Sequence, residues 1–160
     1  MKKKPFKILS TEISQIINLL NGLNNHLPIN FEKLCKKSLT SIKRGNKIIF
    51  FGNGGSASDA QHLAAEFVCK YKKIRRAIPA ISLATDTSIL TSIGNDINFK
   101  YIFSRQIEAI GNRGDIAIAI STSGNSNNLI EGIKVANKKK IHTFCFSGNN
   151  GGKLKKFANH

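Results

Sequence analysis

The sequence predicts an α/β protein in which a doubly wound parallel sheet, with helices on both faces, is preceded by an N-terminal helical hairpin. Short apolar segments alternate with helical patterns at intervals of roughly 30 residues. Residues 116–120 are only Ile and Ala, as expected of a strand that is buried on both faces. Three strands are followed by turns rich in Gly, Ser, Thr and Asn, and such sheets bind ligands at the carboxyl ends of their strands. We therefore expect the three turns to converge on one site.

Each element follows from a local pattern. The first helix is predicted at 10–23 with Ser10 or Thr11 as its cap, and the second begins after Pro28 with Asn30 as its cap and ends at Gly45. A third helix follows the first glycine-rich turn. The other predicted helices are 87–93, 99–110 and 127–138, and the predicted strands are 48–51, 80–83, 116–120 and 143–146.

Length and composition indicate one packed domain, residues 1–160, made of N-terminal helices (1–45) and an α/β core (46–160). No apolar run approaches the roughly 20 residues that span a bilayer. Polar residues from Thr11 onward interrupt the apolar region that a signal peptide needs. The cysteines Cys35, Cys69 and Cys145 are odd in number and widely spaced, so we expect buried thiols and a cytoplasmic protein.

The formal charge of +16 invites a nucleic-acid interpretation. The lysines and arginines are, however, scattered over termini, helix ends and loops, without interleaved aromatic residues or a helix-turn-helix pattern. A solvated basic surface is sufficient to explain the charge, and we expect no specific nucleic-acid partner and no membrane partner.

The first glycine-rich turn, residues 52–56 (Gly-Asn-Gly-Gly-Ser), lies between a strand and a helix. Glycines let backbone N–H groups approach a ligand, and the helix N-terminus favours an anion. Ser56 and Ser58 can cap the helix or bind the same anion. The spacing fits neither the Walker motif nor the dinucleotide motif, so a smaller phosphorylated ligand is favoured; the alternative is a tight turn without a ligand.

The second turn places four hydroxyl groups in residues 121–126, directly after the buried strand: Ser121, Thr122, Ser123 and Ser126. This turn has no charge of its own, but its hydroxyl and N–H groups can hold a phosphate. The alternative is an ordinary polar turn with a serine cap.

His62 and Glu66 lie four residues apart on one face of the helix after the first turn. The pair can ligate a divalent metal such as Zn²⁺, although two ligands are too few for a stable site. Glu66 can instead act as a general base that removes a proton next to a carbonyl. The alternative is a weak surface pair.

Taken together, these motifs resemble the phosphoheptose isomerases of the sugar isomerase (SIS) domain superfamily, whose fold is a flavodoxin-like three-layer α/β/α sandwich. The match runs in order from about residue 9 to about residue 155, through residues 52–56, 59–66, 93–96, 103–106 and 121–126. The resemblance implies conversion of sedoheptulose 7-phosphate to D-glycero-D-manno-heptose 7-phosphate through an enediol, the first committed step toward the heptose of bacterial lipopolysaccharide.

The resemblance also implies roles for individual residues. Glu66 matches the catalytic base, and His62 and Glu66 match two ligands of one Zn²⁺ per subunit. The substrate contacts matched are Asn53, Gly54, Gly55, Ser56, Glu66, Asn95, Asp96, Ser121, Thr122, Ser123 and Ser126. Family members are homotetramers with sites between subunits.

Two departures from the family pattern bear on activity. Lys70 stands where an arginine is common, which keeps the charge and loses bidentate geometry. The family's C-terminal segment, which carries the remaining zinc ligands and a second proton-transfer group, has no counterpart in these 160 residues, and we expect weak or no activity from them alone. The alternatives are a non-catalytic SIS protein that binds a sugar phosphate or the replication initiator, against which Glu66 argues, and the sugar-phosphate-sensing module of a regulator.

Overall fold

The computed structural model describes residues 3–25, 29–148 and 150–159. The chain divides between Cys35 and Lys36 into two compact units. The first unit contains α1 (Lys3–Asn25) and the start of α2 (Ile29–Lys43), and the second contains the rest of α2 and the sheet. The strands are β1 (Ile48–Gly52), β2 (Ala80–Ser82), β3 (Ile116–Ser121) and β4 (His142–Ser147). The other helices are α3 (Gly55–Val68), α4 (Thr87–Ile93), α5 (Ser104–Ile110) and α6 (Asn127–Lys138).

The four strands form one parallel sheet in the order β2-β1-β3-β4, which confirms the predicted fold class. Ile48 of β1 pairs with Ala80 on one side and with Ile116 on the other. After β1 the chain therefore forms β2 at one edge of the sheet, and it then crosses back to form β3 on the other side of β1. The strand order reverses between β1 and β3, which places the turns after these two strands side by side.

The core lies around the two central strands. All five residues of β1 are buried, and so are five of the six residues of β3. Burial of this kind, on both faces of a parallel strand, requires the uninterrupted apolar runs seen in the sequence. Helix α6 lies close to the sheet at Gly132, where a Cβ atom would come within 2.9 Å of the Phe51 ring.

A buried carboxylate joins the amino-terminal ends of β1 and β3. Asp115, with 1% of its surface exposed, accepts hydrogen bonds from the backbone N–H groups of Lys47 (3.0 Å) and Asn112 (2.8 Å). The Lys47 ammonium group lies 2.7 Å from the second oxygen of the same carboxylate. Ser41 of α2 donates its hydroxyl to the backbone carbonyl of Gly114, at 2.6 Å. These bonds fix the end of the sheet opposite the glycine-rich turns.

Both N-terminal helices begin earlier than predicted. The described part of α1 starts at Lys3, and Pro5 is tolerated there because its missing N–H falls in the first turn. Ser10 and Thr11 are not caps, since Thr11 donates its hydroxyl to the Lys7 carbonyl within the helix. Asn30 lies inside α2, and the predicted boundary at Pro28 falls outside the described residues. Gly45, with φ of 81°, follows the end of α2 as predicted.

The predicted helix 99–110 is interrupted. A π-helical turn (Gly94–Asn98) continues α4, and a short 3-10 turn (Phe99–Tyr101) precedes α5. The break falls at Ile102 and Phe103, between the 3-10 turn and α5. Asn98 lies before the predicted helix: its backbone is extended and its side chain accepts a hydrogen bond from the Lys100 N–H, so it caps the 3-10 turn. The predictions for α4 and α6 are confirmed.

The prediction of buried cysteines is wrong at two of three positions. Cys35 and Cys69 are exposed, whereas Cys145 on β4 is half-buried. Cys35 follows the buried Leu34 in α2, but adjacent residues of a helix point in different directions. Cys69 lies just after the end of α3, next to the exposed Val68. None of the helices that the structure describes is both long and apolar enough to cross a bilayer.

Candidate active site

The first glycine-rich turn connects β1 to α3 by a short path. Gly54, with φ of 53°, precedes the first helical residue, Gly55. The turn closes where the Ser56 N–H donates to the Asn53 carbonyl (3.0 Å). A Cβ atom on Gly52 would lie 2.6 Å from the Ser56 carbonyl oxygen, so this close approach requires glycine. No side-chain cap is formed, so of the two roles open to Ser56 and Ser58, capping the helix and binding an anion, the structure excludes the first.

The side chain of Asn53 is held by Asn128 in the first turn of α6. The Asn53 amide donates to the Asn128 carbonyl oxygen at 3.0 Å, and the Asn128 amide donates back at 2.8 Å. Asn128 is buried. Sequence reasoning missed this residue, although an Asn in the first turn of a helix is a recognisable sign of local side-chain bonding.

The second turn, residues 121–126, is ordered by its own hydroxyl groups. The Ser121 hydroxyl accepts from the Gly124 N–H (3.0 Å), and the Ser123 hydroxyl accepts from the Asn125 N–H (3.2 Å). Ser126 occupies the N-cap position of α6, but its hydroxyl makes no capping bond. That hydroxyl is therefore available to a ligand.

The two turns line one pocket of about 180 Å³. Its lining residues are Asn53, Ser56, Ile120, Ser121, Thr122, Ser123, Ser126 and Leu129. This volume is below the range usual for a whole small-molecule ligand and suits one polar group of a larger one. None of these side chains is charged, so an anion would be held by hydroxyl, amide and N–H dipoles. The structure thus brings together six of the predicted contact residues.

The third turn, residues 147–152, takes a different position from the one predicted. None of its described residues lines the pocket. It packs instead against the second turn, where the Gly148 N–H donates to the Thr122 carbonyl at 3.2 Å.

His62 and Glu66 form a pair on α3. The imidazole Nε2 lies 3.6 Å from Glu66 Oε1, and the two side chains are 74% and 32% exposed. Helix α3 is less buried than we expected, since only Ala60 and Ala64 are fully buried. The other oxygen of Glu66, Oε2, is buried and has no hydrogen-bond partner. An unpaired buried carboxylate oxygen is costly and is typical of a group that is used in function.

Arg75 holds the carboxyl-terminal end of α3 beside Glu66. Its guanidinium group donates to the backbone carbonyls of Glu66 (2.7 Å) and Phe67 (2.8 Å). Sequence reasoning missed this contact, because the arginine is separated from the helix by an irregular segment. It satisfies carbonyl groups that a helix end leaves unpaired.

His62 and Glu66 fit part of a zinc site. The imidazole nitrogen and a carboxylate oxygen are both donors that Zn²⁺ accepts, and His62 Nε2 lies 3.6 Å from Glu66 Oε1. In the part of the chain that the structure describes, no third His, Cys, Asp or Glu joins them in a cluster. A zinc site needs three or four ligands, so other groups must complete one that begins with these two side chains.

Asn95 and Asp96 lie apart from the pocket of the two turns. Both are exposed on the π-helical turn, where the Asn95 amide donates to the Asp96 carboxylate at 2.8 Å. Asp96 instead borders a second pocket of about 580 Å³ beside the edge strand β2, with Ile81, Ile89 and Arg105 among its lining residues.

Comparison with known proteins gives a consistent result. The SIS domain family model matches residues 13–148. The phosphoheptose isomerase of Aquifex aeolicus is 56% identical over 121 residues, which cover 76% of this chain and 63% of that protein. The phosphoheptose isomerase of Campylobacter concisus is 45% identical over 154 residues, which cover 96% of this chain and 77% of that protein. The chain thus spans about two thirds to three quarters of the length of these relatives.

Solved structures agree. A phosphoheptose isomerase from Neisseria gonorrhoeae superposes with a TM-score of 0.89 at 35% identity, covering 98% of this chain and 82% of that chain. One from Francisella tularensis gives a TM-score of 0.92 at 28% identity over the same shares. With its parallel sheet, the two turns that line one pocket and these relatives, the chain belongs to the phosphoheptose isomerase family of SIS-domain enzymes.

Proposed function

We propose that the whole protein converts sedoheptulose 7-phosphate to D-glycero-D-manno-heptose 7-phosphate. The observation that carries the proposal is the arrangement of one helix: α3 begins at the uncharged pocket and carries Glu66, with its unpaired oxygen, farther along. A phosphate site and a proton acceptor are the two groups that isomerisation of a sugar phosphate needs.

The spacing suits a long open-chain sugar. Ser56 borders the pocket, and Glu66 follows ten residues later, about 15 Å along the helix axis. Side chains of a helix point back toward its N-terminus, which brings the carboxylate nearer to the pocket. Six carbon–carbon bonds separate the two ends of a heptose, a contour of about 9 Å. The phosphoester bonds and the length of the Glu66 side chain add to this span, so we propose that a C7 phosphate in the pocket places C1 and C2 near Glu66.

In this reaction Glu66 removes a proton from C1 of the ketose and delivers a proton to C2. A proton passes from the C1 oxygen to the C2 oxygen through the enediol, so that atoms balance and no electrons are gained or lost. The unpaired position of Oε2 keeps one carboxylate oxygen free for this transfer.

We further propose that His62 and Glu66 supply two ligands of a bound Zn²⁺ ion. When bound there, the ion would polarise the substrate carbonyl and stabilise the negative charge of the enediol oxygen. The support is the chemistry of the two donors and the 3.6 Å separation of His62 Nε2 and Glu66 Oε1, which leaves Oε2 for the proton transfer.

Homotetramer formation and a cytoplasmic location complete the proposal, and the heptose product would serve lipopolysaccharide synthesis. Support for association comes from α1, which exposes a continuous apolar stripe. The stripe consists of Phe6, Leu9, Ile13, Ile16, Ile17, Leu20 and Leu23. A helix with one apolar face requires a partner for that face.

The experiment is turnover of sedoheptulose 7-phosphate by the whole protein as wild type, as Glu66→Gln and as Glu131→Gln, each with added zinc and after chelation. Glu131 is a matched control, since it forms an ordinary surface pair with Lys134 at 2.9 Å. We expect Glu66→Gln to lose turnover by about 100-fold or more, and Glu131→Gln to retain it. Chelation should lower the activity of the wild type, and zinc should restore it.

The non-catalytic alternative predicts another result. If the wild type and Glu66→Gln both bind the sugar phosphate and neither converts it with zinc present, the protein is a binding module. Full activity of Glu66→Gln would remove Glu66 from the mechanism.

A further inference from the structure

We propose that the third turn is a brace that sets the shape of the phosphate pocket without touching the ligand. The brace is defined here as residues 148 and 150–153. The inference rests on the proposed function, in that the pocket is taken to bind the phosphate of the substrate.

Backbone hydrogen bonds connect the brace and its neighbour to three successive regions of the second turn. The Gly148 N–H donates to the Thr122 carbonyl (3.2 Å), and the Leu154 N–H donates to the Gly124 carbonyl (2.9 Å). The Lys153 N–H, next to that of Leu154, donates to the side-chain oxygen of Asn125 (3.1 Å). The second turn is thereby held along most of its length.

Glycines allow the two backbones to lie in direct contact. A Cβ atom on Gly124 would overlap the Gly151 carbonyl oxygen, and one on Gly152 would overlap the Ser123 carbonyl oxygen. Both glycines also have positive φ, 65° and 54°. A Cβ atom on Gly148 would lie 2.9 Å from the Thr122 carbonyl. All three contacts need glycine on steric grounds alone.

The contacts fall on the residues that present hydroxyl groups to the pocket. Thr122 and Ser123 line the pocket, and their carbonyl groups are the ones that the brace contacts. Gly124 donates its N–H to the Ser121 hydroxyl and so orients a third lining group. An uncharged pocket depends on the aim of its dipoles, so a small displacement of this turn weakens phosphate binding.

The test compares three variants with the wild type. Gly152→Ala forces the two backbones apart. Asn125→Ala adds no bulk and removes the acceptor of the Lys153 N–H, together with the bond that the Asn125 amide donates to the Ser123 carbonyl (3.0 Å). Gly45→Ala is the matched control, because Gly45 also has positive φ (81°) but a Cβ atom there meets nothing within 4 Å. It reproduces the conformational cost of a side chain at positive φ, away from the pocket.

The readouts are KM and kcat for sedoheptulose 7-phosphate, the Kd for inorganic phosphate, and the melting temperature. We expect KM and the phosphate Kd to rise about tenfold or more in Gly152→Ala and a few-fold in Asn125→Ala, with a smaller change in kcat. In Gly45→Ala the melting temperature should fall while KM and Kd stay within about twofold of the wild type.

The outcomes separate the two proposals. Unchanged KM and phosphate Kd in Asn125→Ala and in folded Gly152→Ala would overturn the brace and leave the proposed function standing. If Gly152→Ala does not fold, Asn125→Ala decides. If the wild type binds phosphate but converts no sugar phosphate, the isomerase proposal fails, and the phosphate Kd values of the variants still test the brace. A wild type that binds neither ligand overturns both.

Discussion

The amides of Asn53 and Asn128 exchange two hydrogen bonds, 3.0 and 2.8 Å long, and so connect the first turn to the helix that follows the second. Asn128 is buried and Asn53 is half-buried, so water competes less for these bonds than for bonds on the surface. Asn53 was predicted as a ligand residue from the family resemblance. Its partner explains why the amide is fixed in one orientation beside the pocket.

Replacing Asn128 by Ala should destabilise the protein by about 1–3 kcal/mol, since the Asn53 amide then loses its partner. It should also raise KM, because the first turn is no longer tied to α6. Asn127→Ala is the matched control, as Asn127 is exposed and adjacent; its stability should stay within about 0.5 kcal/mol of the wild type. Urea unfolding and initial-rate kinetics provide the two measurements. Equal stability of the two variants would contradict the role given to the amide pair.

Burial also affects the thiol of Cys145, where loss of hydration raises the pKa from 9.0 to about 11. The folded state then retains the proton after the unfolded thiol has lost it. Stability from this thiol is fully present below pH 9.0 and is lost as the pH rises through about 11.

We therefore expect Cys145 to react with iodoacetamide about 100-fold more slowly than an ordinary thiol at pH 8. Exposed Cys35 and Cys69 supply internal controls in the same chain. Peptide mass spectrometry of a labelling time course would measure all three rates. Labelling of Cys145 as fast as Cys69 would contradict the expectation.

Among the strands, β1 and β3 depend on Asp115 at their amino-terminal ends. Its carboxylate accepts two backbone N–H groups and pairs with Lys47, all within 3.0 Å. Asp115→Ala should cost about 3 kcal/mol, because three donors lose a buried acceptor at once. The control is Glu131→Ala, which breaks the partly exposed pair with Lys134 and should cost at most about 1 kcal/mol. Chemical denaturation would measure both, and similar losses would show that burial of Asp115 is unimportant.

Elements with a strong local pattern were predictable, and those set by side-chain bonds were not. The apolar run of β3 and the spacing in α6 fixed their bounds within a residue. The separation of the π-helical turn from the 3-10 turn coincides with one side-chain bond of Asn98, which the apolar period does not reveal. Likewise, the two turns of the pocket follow from strand order, but the Asn128 and Arg75 contacts depend on packing between distant segments.

The positions of Asn95 and Asp96 mark another limit of sequence reasoning. The resemblance groups them with the residues of the two turns, yet in this chain Asp96 borders a different pocket. Residues that act together in a family need not lie together in one chain when sites form between subunits. In the proposed homotetramer, Asn95 and Asp96 of a second copy would join the pocket of the two turns.

The molecule as a whole has two conspicuous surfaces, a scattered excess of positive charge and the apolar stripe of α1. Scattered charge favours solubility and non-specific attraction of polyanions, and it specifies no partner. The stripe is more specific, because seven large apolar side chains recur at helical spacing on one face. An exposed surface of this kind is typical of an interface between subunits.

Charging that stripe should therefore dissociate the proposed tetramer. In the double variant Ile13→Lys and Ile17→Lys, two ammonium groups would replace apolar contacts at the interface, and burying them unpaired would be unfavourable. Ser14→Lys with Asn18→Lys is the matched control, since it adds the same charge with the same spacing on the other side of α1. Sedimentation velocity would report four protomers for the wild type and the control and smaller species for the isoleucine variant. A monomeric wild type, or an isoleucine variant that stays tetrameric, would exclude this face of α1 as the interface. If the isoleucine variant dissociates and still converts the substrate, one subunit holds all the groups that the reaction needs.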